Sequence, residues 1–198
     1  MRATIDFYFD FSSSYSYIAL PRLTKLADDH GCQVNWKPIA LGVVFKAMNH
    51  APPSSDTTKG RYVWRDVERS AQLAGLPYKW PEPFPFNSMT AARVFWYLAG
   101  TDVNRAVEWA RAVFHASFGE GRDCSNPEVL AAVAVDMGLD AEEVLQATAS
   151  DTVKERLKQV TGEAMERSVF GAPTFFAGDE MFWGGDRIDQ LAHYVGGA

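Results

Sequence analysis

The first 39 residues read strand, helix, strand, and that order limits the possible folds more than any other feature of the chain. Residues 3–9 alternate: Ile5, Phe7 and Phe9 face one way, Asp6 and Tyr8 the other, which is the period of a strand. Ser12, Ser13, Ser14 and Ser16 follow. They start a helix that runs to His30 with Leu20, Leu23 and Leu26 among its apolar positions and Pro21 inside it; Gly31 stops it. Residues 33–39 read as a second strand. Two strands joined by one helix run parallel, and they cannot cover both faces of their own sheet.

The rest of the chain supplies what is missing, at its far end. The middle is helical. A helix is expected over 59–74, ending at Gly75, another behind Asn87 or Ser88 to Leu98, and a third over 102–118 capped by Asp102. Asn126-Pro127-Glu128 opens a fourth, and Asp140 with Glu143 reads as a capping box. Over 152–168, Val153, Leu157, Val160, Ala164 and Met165 recur at helical spacing and read as a core stripe. Residues 77–86 hold four prolines and read as an extended loop. The end changes again: strand 174–176, turn 177–180, strand 181–183, and a last helix started by Asp186. The expected class is α/β, with one domain built from 1–42 and 166–198 and a helical domain, 43–165, inserted into it.

Composition narrows the function. The net charge is −6 and no basic run occurs, which argues against nucleic acid. The longest apolar run, 38–45, is far short of the roughly 20 residues that cross a bilayer. Asp6 and Asp10 interrupt what a signal peptide keeps apolar, so a cytoplasmic setting is expected. Cys32 and Cys124 form no C-x-x-C pair and read as reduced, packed thiols, with a disulfide between them as the other reading. The four histidines lack metal-ligand spacing, so no metal is expected. There is no G-x-S-x-G elbow and no P-loop, and Gly119-Glu-Gly-Arg-Asp-Cys124 follows a helix where a dinucleotide fingerprint needs a strand. An enzyme on this chain has to borrow its reactive group.

Two motifs suggest where. The serine cluster sits at the start of a helix, where unpaired N–H groups and partial positive charge hold anions, thiolates included. Phe170-Gly-Ala-Pro-Thr174 places a proline just before a strand, a position for a cis peptide bond. Taken together, a strand, a helix start of this kind, a helical insertion and a Pro-Thr hairpin resemble the thioredoxin superfamily. No cysteine stands at Ser13-Ser-Tyr-Ser16, so disulfide exchange by the protein at that point is excluded.

Asp6-Phe-Tyr-Phe-Asp-Phe11, Ser13-x-Tyr-Ser16, Phe170-Gly-Ala-Pro-Thr174 and Gly178-Asp-Glu-Met-Phe-Trp-Gly-Gly-Asp-Arg187 resemble the 2-hydroxychromene-2-carboxylate isomerases, relatives of the kappa-class glutathione transferases. Lys59-x-x-Tyr62-x-x-x-Asp66 and Leu73-Ala-Gly-Leu-Pro77 fit too. The resemblance implies a thioredoxin-like domain, glutathione as cofactor, a small aromatic substrate and a homodimer. It implies that Ser13 hydrogen-bonds the glutathione sulfur; its other reading is a helix cap alone. Ala172, before Pro173, is implied to pair its backbone with the cysteinyl backbone. Trp183, Gly184, Gly185 and Asp186 are implied to hold the γ-glutamyl end, with a helix cap as the other reading of Asp186. Asn49 is implied at glutathione, and Ser54 and Ser55 at the substrate. Ser14 stands where the family usually has proline, and Ala172 where it usually has valine. The residues of 78–86 read either as an apolar wall for substrate or as core. A lasting conjugate, as in the kappa-class transferases, and a non-catalytic glutathione- or peptide-binding module are the rival functions.

Overall fold

The computed structural model of the chain describes residues 3–52 and 55–197. Ser54, one of the expected substrate contacts, lies outside the described residues. Strand β1 (Thr4–Phe9), helix α1 (Ser14–His30) and strand β2 (Gln33–Pro38) form the expected parallel unit. Strands β3 (Thr174–Ala177) and β4 (Glu180–Trp183) pair antiparallel across a turn at Gly178, and β3 pairs antiparallel with β1. The sheet order is β2-β1-β3-β4, so the two ends of the chain meet in the middle of one sheet. This is an α/β thioredoxin-like fold with helices inserted between its halves.

The alternation in β1 divides the core. Ile5, Phe7 and Phe9 are fully buried in a cluster with Leu20 and Leu23 of α1. Tyr8 belongs to a second cluster with Val160, Ala164, Val169 and Phe176. Phe7 lies opposite Phe175 and stacks on it, ring centroids 5.2 Å apart. Each buried phenylalanine contributes about 1.5–3 kcal/mol through the apolar area it removes from water. On the side of the second cluster, Asp6 binds Lys37 at 3.0 Å and Arg167 at 2.7 Å. Burial raises its pKa, but hydrogen bonds from Asn35, Lys37 and Arg167 outweigh that and hold it below the usual carboxylate range.

The inserted helices are α2 (Leu41–Ala47), α3 (Thr58–Leu73), α4 (Met89–Ala99), α5 (Val103–Phe114), α6 (Pro127–Asp136), α7 (Ala141–Ala147) and α8 (Asp151–Glu166). They share the sheet's first cluster. Phe114 of α5 packs on Phe9 and Phe11 at 5.6 and 5.4 Å, and Phe118 packs on Tyr17 at 5.9 Å. The helix expected over 102–118 keeps its direction but widens into a π turn at His115–Gly119. Asp102, Asn126 and Asp140 cap their helices as expected.

Two expectations fail, and one helix was not foreseen. Met165 is 39 % exposed, so the core stripe of α8 ends at Ala164. Helix α2 has no sequence signal: Ala40 at its cap makes no side-chain bond, and the Leu41 N–H is held by the remote Asp10 carboxylate at 2.8 Å. Asp186 does not start the last helix. The chain enters through Gly184 (φ 102) into a 3₁₀ turn, Gly185–Arg187, before α9 (Ile188–Gly196), and Arg187 takes the cap position.

Candidate functional site

Ser13 caps α1 from an extended conformation, φ −100 and ψ 104. Its Oγ accepts the Ser16 N–H at 3.2 Å and donates to the Ala172 carbonyl at 3.0 Å. The hydroxyl therefore joins the amino end of α1 to a residue 159 positions away. The Ala172–Pro173 peptide is cis. Pro173 O in turn accepts the Gly184 N–H at 2.9 Å, which ties this segment to the end of β4. The Ser14 and Tyr15 N–H groups, in the first turn, have no partner within the helix, and no residue of that turn is acidic.

The segment beside Pro173 is packed by its own residues. Trp183 meets Phe170 edge to face with centroids 4.8 Å apart, and a Cβ on Gly171 would run into the Trp183 indole. Gly184 has a backbone that side-chain-bearing residues rarely adopt. Gly185 lies against α1, where an added Cβ would meet Ala19 at 3.3 Å. Arg22 fastens the turn: it donates to Gly185 O at 3.1 Å and pairs with Asp189 at 2.5 Å.

These elements form one side of a groove of about 1060 Å³. Ala172, Pro173, Trp183, Gly184, Gly185 and Asp186 all line it, so the structure brings together six residues that the sequence singled out. Ser13 is 8 % exposed and adjoins the groove through the Ala172 carbonyl. Asp186 is exposed and pairs with Arg187 at 3.3 Å. Asn49 follows α2 with φ 52, exposed, and neither it nor the exposed Ser55 lines the groove. No residue of 78–86 lines it either. Phe86 is in the core, and Phe84 packs on Phe118 at 6.1 Å.

The opposite side was not expected. It is α3, through Asp66, Ser70, Leu73 and Ala74. Tyr15 of α1 lines the groove as well and donates to Asp66 Oδ2 at 2.8 Å. Burial and the adjacent Asp66 carboxylate both push the Tyr15 phenol up, so it stays protonated and offers the groove only its oxygen lone pairs. Leu73 is 92 % exposed at the rim. The signal was present in the chain, since Tyr62-x-x-x-Asp66 and Leu73-Ala-Gly recur among the family-like stretches. Nothing local shows that α3 turns Asp66 and Leu73 toward α1.

Both cysteines are free, Cys124 buried and Cys32 partly so. Among the described residues no group of His, Cys, Asp and Glu is arranged to hold a metal, and no helix is long and apolar enough to cross a membrane.

Residues 4–196 match the DSBA-like thioredoxin domain family. The chain is 36 % identical over 194 residues to a 2-hydroxychromene-2-carboxylate isomerase of Pseudomonas putida, covering 97 % of this chain and 94 % of that one. A glutathione S-transferase kappa 2 of Caenorhabditis elegans is 26 % identical over 207 residues, covering 98 % and 92 %. A solved structure of 2-hydroxychromene-2-carboxylate isomerase superposes with a TM-score of 0.87 at 36 % identity, over 98 % of this chain and 94 % of that one.

Proposed function

The chain belongs to the DSBA-like thioredoxin-domain family and, within it, to the 2-hydroxychromene-2-carboxylate isomerases, and from that premise we propose that it is a glutathione-dependent isomerase interconverting 2-hydroxychromene-2-carboxylate and trans-o-hydroxybenzylidenepyruvate. One observation carries the reading: the Ser13 hydroxyl stands at the amino end of α1 and reaches the carbonyl of Ala172, beside a groove.

The residues present fit glutathione. The Ala172 carbonyl is an acceptor for the cysteinyl N–H. When that N–H takes over the carbonyl, the Ser13 proton is released to a sulfur at the helix end. The exchange leaves no polar group unpaired, which matters in so buried a corner. Trp183 and the backbone of Gly184 and Gly185 take the γ-glutamyl end, with Asp186 as acceptor for its ammonium. Asn49 is assigned to glutathione, and Ser54 and Ser55 to the substrate, on family likeness.

Bound glutathione supplies a thiolate that adds reversibly to the enone of the opened ring and lets its double bond rotate. The protein's task is to favour the anion. A free thiol titrates near pH 8.5, and each unit of depression corresponds to about 1.4 kcal/mol. One hydroxyl donor and a helix amino end supply about one to two such units. Tyr15 and Asp66, on the α3 side, accept hydrogen bonds and so suit a donor group of the substrate, such as its phenol. A cytoplasmic homodimer completes the proposal, and light scattering on the purified protein reads the dimer.

The test is a pH titration of the ultraviolet thiolate absorbance of bound glutathione. The wild type should titrate below free glutathione, and Ser13→Ala should return it toward the free value. Equal, unshifted titrations in both proteins refute the reading. The kappa-class relatives favour one second reading, a transferase, in which glutathione stays on the product; mass analysis of the product distinguishes it.

A further inference from the structure

The turn that presents Ser13 is held by a carboxylate that no catalytic step uses. Asp10, at the end of β1, is 3 % exposed. Its Oδ1 accepts the Ser12 N–H at 2.7 Å, and its Oδ2 accepts the Leu41 N–H, the first of α2, at 2.8 Å. The nearby Ser88 hydroxyl favours the charged form as well. The Asp10 carbonyl accepts the Ser13 N–H at 2.9 Å, and Ser12 Oγ accepts the Phe86 N–H at 3.1 Å. One buried residue thus binds the Ser12–Ser13 turn to α2 and, through Ser12, to the proline loop. Burial pushes the Asp10 carboxyl above the usual carboxylate range, and the hydrogen bonds from the Ser12 and Leu41 N–H groups counter this only in part.

We propose that Asp10 is a positioning residue for the glutathione thiolate: it fixes the turn so that the Ser13 hydroxyl and the amino end of α1 converge on the sulfur. The inference rests on the glutathione reading above. Two physical effects of Asp10 oppose each other, and this makes it testable. When ionised, its charge, close to the site, disfavours a second anion; its geometry favours one. Charge alone predicts that Asp10→Asn lowers the pKa of bound glutathione. Positioning predicts a rise, because the Asn amide presents a donor to one of the two N–H groups, of Ser12 or Leu41, and loosens the turn.

The experiment is the thiolate titration of bound glutathione with a binding isotherm, on the full chain. Asp10→Asn should raise the bound-thiol pKa by about half to one unit and weaken glutathione binding about 3–10-fold, the scale of one lost charge-assisted bond. Ser12→Ala keeps the Asp10 carboxyl, removes the acceptor that ties the turn to the Phe86 N–H and should shift the pKa the same way by less. It also serves if Asp10→Asn fails to fold. A depressed pKa in the wild type with an unchanged or lower value in folded Asp10→Asn overturns this inference alone, as does an unchanged value in Ser12→Ala if only that variant folds. An undepressed wild type overturns the glutathione reading first.

Discussion

The two sides of the groove are made of different material. On one side the groups offered are largely main chain: the Ala172 carbonyl and the backbone at Gly184 and Gly185, joined to the first turn of α1 through Ser13. Their positions are set by a sheet strand, a cis peptide and a glycine with positive φ. On the other side α3 offers side chains, Asp66, Ser70 and Leu73, on a helix outside the sheet. Backbone groups keep their chemistry whatever the residue, so the first side suits a guest that never changes. Side chains change with every substitution, so the second suits a partner that differs between related enzymes.

That contrast can be broken in four places. The largest effect is expected from Ser13→Ala, which removes the charge-assisted donor and also the α1 cap. Turnover should fall about 10–100-fold, matching a lost bond of about 1.5–3 kcal/mol. Because the thiol pKa rises, the limb of the rate–pH profile that depends on thiolate should move up by about one unit. A loss of turnover at unchanged profile would assign Ser13 to the cap alone. Gly184→Ala comes next, since φ 102 suits no side chain. It should cost about 1–3 kcal/mol of stability and lower Tm by about 2–4 °C per kcal/mol. It should also weaken glutathione binding, read by calorimetry, while leaving the α3 side intact.

Tyr15→Phe tests the opposite side. It removes the bond to Asp66 and should raise KM for the aromatic substrate about 3–10-fold. The titration of bound glutathione should stay where it was, and a shift there would show that the two sides are not independent. The smallest effect is expected from Leu73→Ala. So exposed a residue should change stability by no more than about 0.5 kcal/mol, with any difference confined to KM across substrates of different size.

The same contrast governs what the chain reveals before it is folded. Ser13 as a cap and Gly31 as a stop are local chemistry, decided within four residues, and both are found where expected. The two-residue period of β1 settles which of Phe7 and Tyr8 joins which cluster. The Ala-Pro-Thr segment was legible for the same reason, as a proline at a strand start. What could not be read depends on partners far away in sequence. Helix α2 begins where Asp10 supplies the acceptor, 31 residues upstream. Tyr15 meets Asp66 across 51 residues, and no pattern in either segment names the other. The phenylalanines of the proline loop carried two readings because composition cannot tell a ligand wall from a core; contact with Phe118 puts Phe84 and Phe86 inward. Asp186 was misassigned by one turn, since a cap and a 3₁₀ residue share the same Gly-Asp signature.

The packing of Phe114 on Phe9 and Phe11 has a bearing on how such an enzyme diversifies. Were the inserted helices a cassette with a separate interior, whole segments could be exchanged between relatives to acquire new substrates. Here a transplanted insertion would have to rebuild the interior of the strand that leads into Ser13. On the proposed reading, new specificities would be reached by point changes on the groove side of α3, at exposed positions such as Leu73.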